Sequence, residues 1–472
     1  MRPNVLIAVA DDASHMGAYG HAFVSTPAFD RIAREGVLFE NAFTSNPKCA
    51  PSRANILTGM HSWQLEEACV HQSDFPYKFR VYPEILEENG YMTGYTGKGW
   101  GPGKFDPRFQ HNPAGWEYNK RKLTPPENTK IRNIDYTANF VDFLDANEEG
   151  KPFCFWYGGY EPHRPYDKDE GLRAGKDPAE MQIPAYLPDH DTVRRDLCDY
   201  AYEIEWFDRH LGNMMAILEE RGMLENTIIL ALSDNGMPFP RVKGQMYEQD
   251  FHLPMAMMWR ARIRPGVRVD ELITYTDIAP TVLDACGVPP HRQMRGRSFI
   301  SRLTEGEYEK NDYVFMCKER HDVGRENDVG YPVRCVRDEQ YLYCINYCPD
   351  RWPAGDPRTK FTNVDPSPTK KLVLDMNEAG QTRYFDLAFG KRPEEELFDV
   401  VKDPECMCNL AADPQYAEDK VRLRAALLQE MEESGDPRFF EKADFFDKCT
   451  YYGKGHHTWA HYVAGDFSYP DE

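Results

Sequence analysis

The sequence predicts an α/β protein: a large, mostly parallel sheet flanked by helices, with a smaller C-terminal α+β region containing an antiparallel sheet. Three observations carry this reading. Short apolar runs alternate with helix-spaced segments through the first three hundred residues. Runs such as NVLIAVA (4–10) are continuously apolar, as in strands buried on both faces. After about residue 330 the runs instead alternate polar and apolar, as antiparallel strands do.

The elements follow in chain order. NVLIAVA is the first strand, and TPAFDRIAREG has helical spacing with a glycine stop. PEILEENGYMTGYTGKG reads as helix, glycine stop, strand. YTANFVDFLDANEEGKPFCFWYGGY repeats that scheme, and the segment from VRRDLCDY to LALSDNG repeats it with a long helix. LITYTDIAPTVLDACGVPP is a strand followed by a helix with Pro280 near its first turn. Such alternation gives a parallel sheet covered on both faces, which binds ligands at the carboxyl ends of its strands. Beyond 330, YPVRCVRDEQYLYCINY reads as two antiparallel strands joined at RDEQ. EEELFDVVKDPECMCNLAADPQYAEDKVRLRAALLQEMEESGDP reads as a strand, a loop and one amphipathic helix. The domains expected are therefore 1–330 and 331–472. The tail, KCTYYGKGHHTWAHYVAGDFSYPDE, has no clear period, and its three histidines read as surface or interface packing.

Composition narrows the function. The chain has 472 residues, 41% hydrophobic and 13% aromatic, which suits a soluble globular protein of more than one core. No run approaches the ~20 apolar residues of a membrane span. A formal charge of −21 argues against a nucleic-acid or anionic-membrane partner. An anionic substrate would need a local basic cluster. The twelve cysteines are scattered, several in apolar runs, and read as reduced thiols rather than a disulfide framework. CINYC and CMC lack the paired spacing of structural zinc sites. The N-terminus, MRPNVLIAVADD, shows no signal-peptide pattern, so a cytoplasmic location is expected, although a chain trimmed of a leader would read the same.

Polar clusters stand at the expected strand ends. Asp11 and Asp12 follow the first strand, and Asp234 and Asn235 follow TIILALS. Either pair alone reads as a turn. Together they offer three carboxylates and an amide carbonyl, an all-oxygen set suited to calcium or magnesium. In NPKCAPSRANILTG, Pro51 favours the first turn of a helix, which places Cys49 at its N-terminus with Arg53 one turn on. A reactive thiolate fits that position. It would need a base, however, and no histidine is local.

The motif C-x-P-S-R, extended through LTG, resembles that of the type I sulfatases of the alkaline phosphatase superfamily. The resemblance covers nearly the whole chain and implies an alkaline-phosphatase-like fold. In that family the motif cysteine is oxidised to Cα-formylglycine, which implies a maturation partner: a formylglycine-generating or an anaerobic sulfatase-maturating enzyme. By the resemblance, Asp11, Asp12, Asp234, Asn235 and the modified Cys49 are calcium ligands, with magnesium as the alternative. Arg53 holds the aldehyde hydrate, Lys98 and Lys243 contact sulfate oxygens, and His163 stands near the leaving group. One departure is clear: many relatives have a histidine two residues after the lysine, thought to help expel sulfate, and here that residue is Trp100, a packing residue or a substrate wall.

Within the family, SDNGMPFPRVKGQMYE, the region around CVHQ, and VFMCKERHDVGRENDVGYPVRCVRDEQYLY resemble the N-sulfoglucosamine sulfohydrolase (sulfamidase) group. That resemblance implies a sulfated saccharide substrate and makes His71, Trp100, Glu319, Arg320, His321 and Arg325 candidate substrate contacts. An O-sulfatase on a sulfated glycan and a phosphodiesterase or phosphonate hydrolase are the alternatives. An inactive binding module is disfavoured by the intact Cys49, Pro51, Ser52 and Arg53.

Overall fold

The first strand, β1 (Asn4–Ala10), is central to a seven-stranded sheet. Val5, Ile7 and Val9 pack on one side with Ala50, Ala54, Ile56 and Leu57 of the Cys49–Thr58 helix. Leu6, Ala8 and Ala10 pack on the other with Leu197, Tyr200, Ala201 and Ile204 of the Asp191–Glu220 helix. Each fully buried Val, Leu or Ile contributes roughly 1.5–3 kcal/mol. That is why the strand has no polar face. The computed structural model describes residues 2–304 and 310–469.

The other strands of this sheet are β2 (Val37–Phe39), β3 (Met92–Gly97), β4 (Phe153–Gly158), β5 (Thr227–Ser233), β6 (Met255–Met258) and β7 (Val267–Val269). Their order is β7-β2-β6-β5-β1-β4-β3. All neighbours are parallel except β6, which runs antiparallel to both β5 and β2. The expected mostly parallel sheet is therefore present, with one reversed strand. The register sets Val5 between Cys154 and Ile228, so β1, β4 and β5 end at one level.

Helix ends are closed by side chains far away in sequence. Asp208, on the long Asp191–Glu220 helix, accepts from the backbone N–H groups of Ala28 and Phe29, both at 2.8 Å. Those are otherwise unpaired donors at the start of the Pro27–Glu35 helix. Asp199, on the same long helix, accepts from Gly171 and Asp169.

The second sheet has strands β8 (Val314–Lys318), β9 (Val333–Arg337), β10 (Tyr341–Asn346) and β11 (Glu395–Asp399), antiparallel and in that order. The turn between β9 and β10 falls at Asp338–Gln340, as expected. One face packs Met316, Cys335, Leu342 and Phe398 against Phe43, Tyr247 and Phe251. The other packs Val336, Tyr343, Ile345 and Leu397 under Leu423, Leu427 and Met431 of the Ala417–Glu433 helix. Because β8 begins at Val314, this sheet takes in residues on both sides of position 330.

All twelve cysteines are free. Among the described residues no helix is long and apolar enough to cross a membrane. In the tail, His456 and His461 stack with ring centroids 4.3 Å apart, both facing Asp466, while His457 bonds the Tyr451 hydroxyl at 2.8 Å.

Candidate active site

The pairing of Ala10 with Ser233 sets the residues that follow β1 and β5 side by side. The Asp12 N–H donates to Asp234 Oδ1 at 3.2 Å, and Asn235 Nδ2 donates to Asp12 Oδ1 at 2.6 Å. One oxygen each from Asp11, Asp12 and Asp234 lie within 4.8 Å of one another. Asp12 takes a left-handed φ of 78°, a conformation non-glycine residues adopt at a cost. Here it is braced by the Tyr200 hydroxyl, which donates to the Asp12 carbonyl at 3.2 Å.

The Cys49–Thr58 helix starts at Cys49 itself and ends at Gly59, whose φ of 66° closes the last turn. Its N-cap residue, Lys48, offers no side-chain cap, so the free N–H groups of the first turn favour negative charge there. The buried Cys49 Sγ lies 3.1 Å from Asp11 Oδ1. Burial, reinforced by the Asp11 charge, pushes the thiol far up, so the cysteine as encoded stays protonated. Arg53 lies one turn on, donating through Nε to Asp234 Oδ2 at 2.8 Å and through Nη1 to the Lys98 carbonyl at 2.7 Å.

The basic cluster that the −21 charge called for is present. Lys98, just past β3, donates to Asp11 Oδ2. Lys243 donates to Asp12 Oδ2 at 2.7 Å and pairs with Asp365 at 3.1 Å. Lys48 pairs with Asp322 at 2.7 Å, and His71 Nδ1 lies 3.2 Å from the same carboxylate. Burial disfavours these charges, yet their mutual pairing holds Lys243 well above the usual lysine range and Asp322 well below the usual carboxylate range.

His163 follows β4 and meets the group from its side. A ring nitrogen of His163, the Cys49 sulfur and an Asp11 oxygen lie within 4.8 Å of one another. Nδ1 donates to the Arg164 carbonyl at 2.6 Å, which leaves Nε2 as the nitrogen able to exchange a proton. Burial, then the Lys243 charge, lower this imidazole to about 4.

A cavity of about 370 Å³ opens onto Asp11, Lys98 and His163, and Trp100 lines it. The indole of Trp100 is otherwise a brace: Nε1 donates to the Ala50 carbonyl at 3.1 Å and the ring meets Phe75 edge-on. It supports the helix that carries Cys49.

Four expected substrate contacts are built into the frame instead. Glu319 has no exposed surface, and its carboxylate is held by Arg438 at 2.6 and 2.7 Å and by Arg334 at 2.8 Å. Arg320 donates to the Cys449 and Thr450 carbonyls. His321 Nε2 bonds Asn46 Oδ1 at 2.7 Å, and Arg325 donates to the Trp352 and Pro353 carbonyls and to Asn363. Each of the four is held by at least one partner in the chain, while Arg320 Nε, His321 Nδ1 and Arg325 Nη1 are buried without one. Of that segment it is Asp322 that faces the site, with His71 beside it. Sequence reasoning missed Lys48, Asp322 and Asp365. Lys48 and Asp322 lay within stretches singled out for other residues, while Asp365, in NVDPSP, carried no signal.

The donor set fits a hard divalent cation. The Asn235 Oδ1 is buried with no partner, an acceptor that a cation would satisfy. Burial and the neighbouring carboxylate charges push Asp12 to about 6 and Asp234 to about 7, a crowding that a dication would relieve.

With this geometry in place, comparison with known proteins is decisive: residues 3–288 match the Sulfatase family. The chain belongs to the sulfatase family. In this sulfatase, residues 242–357 also match the family described as N-sulphoglucosamine sulphohydrolase, C-terminal. The chain is 29% identical to an ulvan-active sulfatase of Formosa agariphila, over 95% of this chain and 78% of that protein. It is 27% identical to human N-sulphoglucosamine sulphohydrolase, over 92% of this chain and 91% of that protein. Among solved structures it resembles a protein in complex with its substrate D-glucosamine-2-N,6-O-disulfate, with a TM-score of 0.68, 19% identity, and 94% and 100% of the two chains covered. It is equally similar in fold to a phosphonate monoester hydrolase from Silicibacter pomeroyi, with a TM-score of 0.68, 19% identity, and 92% and 96% covered.

Proposed function

We propose that this sulfatase removes the N-sulfate of glucosamine in heparan-type fragments, using Cα-formylglycine made from Cys49 and a bound calcium ion. One observation carries the choice of substrate. The C-terminal match to the sulphoglucosamine family begins at residue 242, so it takes in Lys243 of the sulfate site as well as Asp322. The human relative, aligned over nine-tenths of each chain, points the same way.

Asp11, Asp12, Asp234, Asn235 and the modified residue 49 would hold the ion. Magnesium is the alternative. Bound there, the ion supplies positive charge against the sulfuryl oxygens, and the hydrated aldehyde supplies an oxygen nucleophile where burial keeps a thiol inert. The chain's own residues do the rest. The free N–H groups at the start of the Cys49–Thr58 helix favour the negative charge that develops there. Arg53, Lys98 and Lys243 offset charge on the sulfuryl oxygens as it grows. Only in its protonated form does His163, with Nδ1 committed to Arg164, deliver the Nε2 proton to the leaving nitrogen as the S–N bond breaks. Because burial lowers this imidazole to about 4, that proton is taken up before each cleavage.

A second reading is favoured by the ulvan-active relative: an O-sulfatase acting on a sulfated polysaccharide. Initial rates on N-sulfoglucosamine, a 6-O-sulfated sugar, an aryl sulfate and a phosphonate ester separate the readings. N-sulfoglucosamine or a short heparan fragment is expected to give the highest kcat/KM. A higher kcat/KM on the 6-O-sulfated sugar supports the O-sulfatase, and turnover of the phosphonate alone contradicts both.

A further inference from the structure

We infer that Arg132 reads a second anionic group of the substrate, so that the preferred saccharide carries a further sulfate or a carboxylate beyond the sulfate that is removed. This rests on the reading of the enzyme as a saccharide sulfatase. The cavity of about 370 Å³ has its floor at Asp11, Lys98 and His163 and a further wall of Tyr95, Glu117, Arg132 and Tyr160. That volume lies within the range of small-ligand sites, which use a few placed polar groups to fix orientation. Two permanent cations, Lys98 and Arg132, stand among the described lining residues. Lys98 is taken by Asp11.

Arg132 is different. Its backbone N–H donates to Glu161 Oε1 at 3.0 Å, while its exposed guanidinium makes no hydrogen bond or ion pair among the described residues, acting on the buried Glu161 and Glu203 only through its charge. Exposed Arg121 and Arg108 are matched, with Asp142 and Asp106, whereas Arg209 and Arg262 lie over Trp206 and Trp259 with no ion pair among the described residues, so what sets Arg132 apart is its place in the cavity lining. Glu117, on the same wall, accepts from the Tyr95 hydroxyl at 2.7 Å rather than from Arg132. The Tyr160 ring supports the guanidinium, with Cζ 5.3 Å from the ring centroid. A guanidinium carried on an aromatic face keeps its planar fork of donors free, and that fork matches a carboxylate or sulfate through two parallel hydrogen bonds.

The test compares wild type, Arg132→Gln and Arg132→Lys on four substrates: N-sulfoglucosamine, N,6-O-disulfated glucosamine, an N-sulfated disaccharide bearing a uronic acid, and an aryl sulfate. A charge-assisted pair of hydrogen bonds corresponds to about tenfold or more in kcat/KM. Wild type is therefore expected to prefer one of the doubly charged saccharides over N-sulfoglucosamine by that factor, chiefly through KM. Which of the two is preferred identifies the second anion. In Arg132→Gln the ratio falls to near one, Arg132→Lys retains part of it, and added salt compresses the wild-type ratio. An absent preference in wild type overturns the inference, as does a Gln variant that loses rate equally on every substrate with the ratio kept. Turnover of aryl sulfate in either case leaves the sulfatase reading standing, whereas no turnover of any substrate overturns both.

Discussion

Lys243 lies between two carboxylates, 2.7 Å from Asp12 and 3.1 Å from Asp365. Asp12 stands at the end of β1 and Asp365 in the second half of the chain, so one lysine ties the strand-end carboxylates to a loop far away in sequence.

If a divalent ion is held by the strand-end carboxylates, activity depends on it. Dialysis against a chelator is expected to abolish turnover and lower Tm, and calcium is expected to restore both. At a ligand concentration of 100 Kd the stabilisation is about 2.7 kcal/mol. Asp234→Asn leaves Arg53 a partner but weakens the carboxylate set, so calcium should raise its Tm less. Thermal denaturation with and without calcium checks this, and an unchanged calcium response in Asp234→Asn contradicts the ligand assignment.

His163→Ala should show its defect where a poor leaving group needs a proton. A general acid contributes about 10²–10⁴ in rate. The loss is expected near that size on N-sulfoglucosamine and much smaller on an activated aryl sulfate, read from kcat for both. Equal losses on the two would place His163 in binding rather than proton transfer.

The Lys48–Asp322 pair, at 2.7 Å with side chains 5% and 13% exposed, is a buried ion pair. Asp322→Ala leaves a buried ammonium uncompensated and should cost about 3–5 kcal/mol of stability. The double variant Lys48→Met/Asp322→Leu should recover most of it. Urea denaturation of the two variants checks the sign of the coupling.

Glu170 and Glu203 are neighbouring buried carboxyls, burial pushing Glu203 well up, reinforced by the Glu170 charge, and Glu170 to about 7. Both folded-state values lie above the unfolded glutamate value of about 4.3. The protonated fold is therefore favoured at low pH. The pair's stabilisation is complete below about pH 4.3 and is lost as pH rises through about 7. Glu203→Gln keeps a donor at that position without a titrating carboxyl, so the difference in stability between variant and wild type should move in the variant's favour from pH 5 to pH 8. Denaturant midpoints across that range test it, and a pH-independent difference contradicts it.

Much of this was legible in the sequence because it depends on local pattern. The apolar run before Asp11 and Asp12, and that before Asp234 and Asn235, place those residues at strand ends, and parallel pairing then brings them together. Cys49 and Arg53 sit one turn apart on a helix that Pro51 and Gly59 delimit. What escaped notice depends on pairs distant along the chain. Nothing near Lys48 announces Asp322, and nothing near Lys243 announces Asp365. Glu319 looked like a substrate contact because its segment resembles that of the sulfamidase group, yet Arg334 and Arg438 close around it inside the protein. The reversed direction of β6 was likewise unreadable, since MAMM is equally apolar in either orientation.

The most direct test is the mass of the peptide containing residue 49 in an active preparation, measured alongside specific activity at several degrees of conversion. The account predicts that activity rises in proportion to the fraction of chains in which the Cys49 thiol has become an aldehyde, with none in Cys49→Ala. Full activity in protein whose Cys49 remains an unmodified thiol would contradict it.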